Sequence, residues 1–575
     1  MADTQPTVDS ARTNQLGWSM AAAGVACFCW VRSSTVNHQL LGSLIVLAAL
    51  WPMVRFHTSS YARREGDYLQ SYARGLPLLA LLAGLGTAAW YLLSMRSTVG
   101  DVDMFYFLCY ARDMNLGHEV ADNAYSYFPG VYRFWRTALA ISGASLSAIQ
   151  TWHVMLLMVN CLLVAAIVWR LTHRWVLTLF APCWAALLYS RFQGLHGTSE
   201  PLATIPLLLG LLAWNGTALQ GRQAWGRCLL LGACFGLMVY SKQQAGLLSL
   251  GAIGLLLERN STGDGRRHDL KMLATLPVVA IATLLLAILF EGRGLLPLTA
   301  GLKTLAGYGQ EGSWWHNIYL QIRRDETAAL ALLASLLVTT CWLLKVRKQD
   351  DTERRQLAVA LLLAIACLAS LYQLGSRGFH HYMLLGIPGL TILATLVWQR
   401  AWQWRASEFK KHRPLCLVLL LLPLVPFLLP SDVNESFLAG RLPRPVTRSI
   451  PVRWHQHPAL LDDLQQVRQQ LSPGNLVLLV PARHNSLHFI LGTRPAAAEG
   501  YNFQLSTYRD RSWLGEIEQR HDYVLIQSDD PDGLDSSDRT IWGRVKRRTA
   551  HRRLLELQYQ QLVAGRFVSL YKRRQ

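Results

Sequence analysis

Two carboxylates set two apart, Asp101 and Asp103, open the stretch GDVDMFYFLCYARDMNLG, directly after an apolar segment that ends near residue 94. A carboxylate at the edge of a membrane span is expensive unless it is paired or used. In that place it could act as a general base, taking the proton of an attacking hydroxyl as a bond forms. In an extended or turn conformation the two acids could also chelate a divalent cation, whereas on a helix residues i and i+2 diverge. The plain structural account is helix N-capping, because acids favour first turns. Lys242, Arg377, His380 and His381 stand at the ends of later apolar runs, and such donors would meet negative charge growing on a leaving group. Each has a plainer account too: a lysine snorkelling to the interface, an arginine on lipid headgroups, a histidine as a polar cap. Glu200, in Gly-Thr-Ser-Glu-Pro, opens a helix before Pro201 and either caps it or positions Arg191, His196 or a substrate. Arg112 has Asp113 and Glu119 nearby as partners. Trp314, Trp315 and His316 could stack on a sugar ring, and a headgroup-level aromatic belt explains them as well.

For these groups to share a site, apolar segments must carry them to one side of a membrane. The composition permits it: the 575 residues are 51% hydrophobic and 16% charged, against about 25% charged in soluble domains. Twenty Trp and twenty Tyr suit interfacial belts. Runs long enough to span fall at 15–31, 38–55, 75–94, 152–169, 175–190, 201–219, 226–241, 243–257, 272–290, 326–344, 356–374, 382–398 and 414–430, about thirteen in all. With the N-terminus cytoplasmic, the inside loops 56–74, 170–174, 220–227, 258–271, 345–355 and 399–413 are all basic, as the positive-inside rule demands. These loops absorb most of the net charge of +20 without invoking nucleic acid. Asp101, Asp103, Lys242, Arg377, His380 and His381 then share the outer face. Two outside loops, 95–151 and 291–325, are long, and an amphipathic helix in the membrane plane is expected in each. Met1–Gln15 carries Asp3, Asp9 and Arg12, and no small-x-small site follows the first apolar run, so the first span is expected to stay as an uncleaved anchor. The ten cysteines lie before Pro430 without a CxxC and read as buried small hydrophobes.

The composition changes after Pro430. Residues 431–575 hold no spanning run. A helix is expected at 457–471 and strands at 476–480, 522–527 and 566–571, with helical stretches between, making a small soluble α/β domain outside the membrane. Three regions follow: 1–74 with two additional spans and a basic cytoplasmic loop, 75–430 as the transmembrane catalytic domain, and 431–575 as the extracytoplasmic domain.

Asp103-Met-Phe-Tyr106, then Ala111-Arg112, then Gly117, resembles the pattern D-[ED]-x-x-Y-x-x-x-A-R-x-x-x-x-G of GT-C glycosyltransferases, the group of protein O-mannosyltransferases and lipid A aminoarabinose transferases. Tyr127-Phe-Pro129-Gly-Val-Tyr132 is similar to the H-P-P-x-Y turn of their first outside loop, and Tyr240-Ser-Lys242-Gln243 to the Thr-Lys step of a middle helix. Arg377-Gly-Phe-His380-His381-Tyr382 through Pro388 resembles their late R-x-x-H-Y-x-L-x-x-x-P segment. Met104 replaces the second acid of the pattern, and the turn lacks its His. The resemblance implies a polytopic α-helical membrane protein of GT-C type that passes a sugar from a polyprenyl-phosphate carrier to an acceptor, with inversion, at the outer face of the inner (plasma) membrane. It further implies Asp103 as base with Asp101 assisting, and Lys242, Arg377, His380, His381, Tyr382, Arg112, Tyr106, Tyr127 and Glu200 around the lipid phosphate and sugar. A divalent cation on Asp101 and Asp103 is the one cofactor in view. The acceptor is open between lipid, glycan and protein.

A lipid or solute transporter is the main alternative. Transporters tend to carry internal repeats and ionisable groups at mid-membrane, and this chain shows no repeat and few charges inside its spans. A scaffold subunit would not need acids and bases gathered at one depth.

Overall fold

The computed structural model describes residues 81–89, 92, 102–118, 128–144, 146–191, 199–214, 222–249, 264–291, 298–299, 302, 313–318, 351–377, 380–408, 458–480, 486–496, 521–527, 557–565 and 567–574. A helix at 81–89 (α1) is followed by α2 (Val102–Asn115), α3 (Gly130–Ser142), α4 (Leu146–Thr172), α5 (Trp175–Arg191), α6 (Glu200–Ala213), α7 (Arg222–Ser241), α8 (Asp264–Leu289) and α9 (Asp351–Arg377). A 3-10 helix (His380–Leu385) then leads into α10 (Ile387–Glu408).

The 27 residues of α4 contain neither Gly nor Pro, and at 1.5 Å per residue they extend roughly 40 Å. Among the described residues, its stretch Ala148–Thr172 is the one helix long and apolar enough to cross a membrane by itself. Shorter apolar helices surround it at Trp175–Tyr189, Glu200–Ala213, Trp225–Ser241, Ala274–Leu289, Val359–Ser370 and Ile387–Leu396. The array is helical as expected, with different lengths. The run 201–219 leaves its helix at Ala213, and 243–257 begins as 3-10 turns over 243–249 where Lys242, Gln243 and Gln244 are buried. The spans expected at 15–31, 38–55, 326–344 and 414–430 lie outside the described residues.

Close backbone contact holds the helices together. A Cβ on Gly232 of α7 would sit 2.8 Å from the Val279 Cβ of α8, and one on Gly236 would strike the Ala280 carbonyl. This Gly-x-x-x-Gly face lets the two helices approach as membrane helices do. Leu229, Leu230 and Leu237 of α7 and Val278, Ile281, Leu286 and Leu289 of α8 are exposed. Such an apolar exterior suits lipid rather than water.

The 95–151 segment holds two kinds of helix. Helix α3 is amphipathic, burying Val131, Tyr132, Trp135, Ala138 and Leu139 while exposing Arg133 and Ile141. That matches the amphipathic helix expected in this segment. Helix α2 does not: all of Phe105 to Ala111 is buried, so every face of it is covered. One cover is α3, with Phe107 and Tyr110 edge-on to Tyr132 at 5.2 and 4.8 Å. The other comes from beyond residue 457.

That later segment folds as α11 (Pro458–Gln470), β1 (Leu476–Val480), α12 (Ser486–Leu491), β2 (Arg494–Pro495), β3 (Tyr523–Gln527), β4 (Tyr559–Ala564) and β5 (Val568–Arg573). The sheet order is β2-β1-β3-β5-β4. β1 pairs parallel with β2 and β3, whereas β5 runs antiparallel to β3 and β4. Leu460, Leu464 and Val467 of α11 pack on Val477, Leu479, Leu525 and Leu570 of the sheet. The β4–β5 hairpin turns beside α11, whose buried Asp463 accepts hydrogen bonds from the Phe567 and Val568 amides at 2.7 and 3.1 Å. β2 and β4 are further strands, in the stretches between strands that were expected to be helical.

Candidate functional site

Glu200 begins α6 and Lys242 immediately follows α7, 42 residues later in the chain. Their side chains form a salt bridge, Lys242 Nζ donating to Glu200 Oε1, with both residues buried. The Lys242 ammonium also lies 5.5 Å from the centre of the buried Tyr382 ring, in the 3-10 helix before α10. A cation within about 6 Å of a ring face is attracted by its quadrupole. Burying two charges in an apolar bundle costs several kcal/mol per ion before their attraction returns it, so stability alone is a weak reason for the pair.

The turn before α3 closes on this pair. The Phe128 amide donates to Gln243 Oε1 at 3.3 Å. A Cβ on Gly130 would lie 2.6 Å from the Tyr240 carbonyl and 2.8 Å from Ser241 Cα, so only glycine lets the turn rest on the end of α7. Two segments that resemble separate motifs of one family, the turn at Phe128–Tyr132 and the step at Tyr240–Gln243, therefore touch. The opposite end of the bundle is closed by other contacts: Gln356 donates to the Leu171 carbonyl at 2.6 Å and Arg170 to that of Leu212. Glu200, Lys242 and Tyr382 thus share one end of the bundle.

Below Glu200, Asn160 of α4 donates to the Pro201 carbonyl at 2.8 Å and accepts from the Thr204 hydroxyl at 2.6 Å. All three lie at the start of α6 or against it, fixing the turn that presents Glu200. Sequence reasoning missed Asn160. Its signal was present, a lone amide inside the apolar run 152–169, where a polar side chain must find partners.

Arg112 and Tyr106 are on α2 and both are buried. The Arg112 Nε donates to Asp113 at 2.8 Å, Nη1 to the His488 carbonyl at 3.0 Å and Nη2 to the Thr493 carbonyl at 2.6 Å. The pairing with Asp113 is the one its sequence neighbours offered. The partners from α12 and the residue before β2 were not foreseen, and they engage a guanidinium expected at the substrate. Phe489 completes the contact, its ring 5.6 Å from the guanidinium carbon and 5.9 Å from the Phe105 ring. Burial, and then the Arg112 charge, hold the His488 imidazole at a pKa of about 3, so it is neutral beside the arginine. Burial likewise pushes the Cys109 thiol up to about 12, leaving it unreactive.

Asp103 falls in the first turn of α2, Arg377 ends α9, and His380 and His381 begin the 3-10 helix. These four are placed here by their backbone. Asp101 and Tyr127 lie outside the described residues. No group of three or more His, Cys, Asp or Glu side chains gathers among the described residues. Trp314 and Trp315 meet edge-on at 4.7 Å, with Trp315 exposed.

No protein-family model matches the sequence, and no curated protein matches it. Among solved structures, ArnT from Cupriavidus metallidurans in the apo state superposes with a TM-score of 0.52 at 13% identity, over 86% of this chain and 97% of its own. The same ArnT bound to undecaprenyl phosphate gives 0.49 at 13% identity, over 86% and 97%. The Archaeoglobus fulgidus oligosaccharyltransferase tethered to an acceptor peptide gives 0.46 at 13% identity, over 86% of this chain and 74% of its own. The apo ArnT superposition shows a shared fold, as the resemblance of the sequence motifs led one to expect.

Proposed function

We propose that this chain is a membrane glycosyltransferase that moves a sugar from a polyprenyl-phosphate carrier to an acceptor at the outer face of the membrane. The observation that carries the reading is the Lys242–Glu200 pair, buried where the 128–130 turn, the 241–243 step and the 3-10 helix of Tyr382 meet. Ionisable groups buried in a membrane bundle are a functional hypothesis by default. The shared fold and the α2 motif add to it.

In the reaction proposed, the Asp103 carboxylate takes the proton of the acceptor hydroxyl. The acceptor oxygen bonds to the anomeric carbon from the face opposite the carrier, and the bond to the carrier phosphate breaks with its electron pair. The polyprenyl phosphate leaves with added negative charge, and Lys242, Arg377, His380 and His381 are the cationic or donor groups assigned to meet it. Glu200 aims Lys242, and Tyr382 braces the ammonium. Tyr106 and Tyr127 are assigned to the sugar, and Asp101 to sharing the base's work or holding a divalent cation. The N-terminus is placed in the cytoplasm and the 431–575 region outside.

The test is turnover by the purified chain in detergent with a panel of polyprenyl-phosphate sugars, counting carrier hydrolysis as activity. Asp103→Asn is expected to lower the rate by about a hundredfold or more, the scale of a lost general base. Full activity in that variant moves the role to Asp101. A folded parent that turns over no carrier in the panel fails the reading and leaves a transporter as the better account.

A further inference from the structure

The geometry points to a positioning role for Arg112 and Phe489: they clamp α2 onto the sheet-bearing C-terminal unit and thereby hold the first turn of α2, with Asp103, in place. This rests on the reading of Asp103 as the base. Arg112 reaches two backbone carbonyls of the unit, those of His488 and Thr493, and its own neighbour Asp113, at 2.6 to 3.0 Å. A guanidinium presents its donors in a rigid planar fork, so the two bonds to the unit fix both the distance and the rotation of α2 against it, while the third, to Asp113 on the same helix, holds the fork in orientation. Phe489 reaches the other end of the helix. Its ring meets Phe105, two residues after Asp103, while also lying over Arg112. Asp103 and Arg112 are nine residues apart on one helix, roughly 13 Å along its axis, so the clamp grips α2 near both ends.

The chemistry of the clamp argues for alignment over adhesion. Arg112, Asp113 and His488 are all buried. A desolvated ion pair returns little net stability compared with apolar residues of the same shape, and its recognised use is to select one arrangement. Had the unit merely needed to stick to α2, the Phe105–Phe489 contact could simply have been extended. A general base must stand within hydrogen-bond reach of its proton, and a misplacement of about 1 Å can cost a hundredfold in rate.

Two variants of the full-length protein test this, Arg112→Lys and Phe489→Ala, each compared with the parent in detergent. The readouts are kcat and KM for carrier turnover, melting temperature, and amide hydrogen exchange over residues 102–115. Lysine keeps the charge and loses the fork. The expected result is faster exchange in α2 and a kcat lowered about ten- to a hundredfold with KM little changed. The double variant should lose no more than the worse single one, because both act through the same helix. Four results overturn the inference: unchanged exchange in α2; a lower melting temperature with kcat per folded molecule intact; a raised KM at constant kcat, which would return Arg112 to the substrate; or full activity in Arg112→Lys. If the parent turns over no carrier, the proposed reaction fails separately, and the exchange data alone decide whether the clamp holds α2.

Discussion

At the scale of single residues, the Lys242–Glu200 pair makes a demanding prediction because it is buried inside an apolar bundle. Removing one partner leaves an uncompensated charge, a cost of about 3–5 kcal/mol. Lys242→Met and Glu200→Gln should each lower the apparent melting temperature in detergent, and the double variant should recover much of that loss. All three should lack activity, since the double change restores packing without restoring the cation. A second prediction concerns pH. His488 has a folded pKa of about 3 against an ordinary 6.5, so the unfolded chain binds its proton first as pH falls. Its contribution to stability is therefore complete above about pH 6.5 and shrinks steadily down to about pH 3. Melting temperature followed across that window should fall, and His488→Gln should flatten the fall attributable to this group. The sequence displayed Lys242 and Tyr382 as candidates, whereas Glu200 read equally well as a helix cap. Its true partner lies 42 residues away, and no local pattern links the two. Arg112 shows the same limit more sharply: Asp113 is its neighbour, but two carbonyls more than 370 residues on leave no mark in side-chain identities.

At the scale of elements, α7 is the rod that carries Lys242, and its seating depends on Gly232 and Gly236 against α8. Gly236→Ala would force the two backbones apart at the Ala280 carbonyl, an overpacking cost of about 1–3 kcal/mol. Lys242 lies six residues further along, roughly 9 Å, so the same variant should lower turnover as well as melting temperature. Gly226→Ala on the same helix, where a Cβ would meet nothing within 4 Å, is the control and should leave both unchanged. Helices and strands with a clear apolar signature were legible. The strand at Leu476–Val480 fell where LVLLV placed it. The strand Tyr559–Ala564 was hidden because LLELQYQQLV spaces its leucines as a helix would. Pairing with β5, and a turn held by Asp463 from about a hundred residues earlier, outweigh that local preference. Helix α2 shows the same limit, because the cover on one of its faces comes from Phe489 and Arg112's distant partners.

At the scale of the whole molecule, the contact between α2 and α12 ties the C-terminal unit to the end of the bundle that holds Glu200 and Lys242. Both are then expected on one side of the membrane, which the proposed topology makes the outer one. A cysteine introduced at the exposed Gln560 of β4 should react with a membrane-impermeant maleimide on intact spheroplasts. One introduced at Arg266, in the loop assigned to the cytoplasm, should react only after lysis. The reverse pattern would invert the topology and with it the face on which transfer occurs.

The sheet order carries a consequence for how the protein is made. β5, at residues 568–573, lies between β3 and β4, so the sheet cannot close until residue 573 has left the ribosome. Helix α2 ends at Asn115, and at about 5–20 residues per second its outer cover is completed on the order of 20–90 s after the helix itself is synthesised. During that interval the bundle can insert while the helix bearing Asp103 still lacks the unit that aligns it. On the proposed reading, catalytic competence waits on the synthesis of β5, and a nascent chain short of that strand is expected to sit in the membrane without consuming lipid-linked sugar.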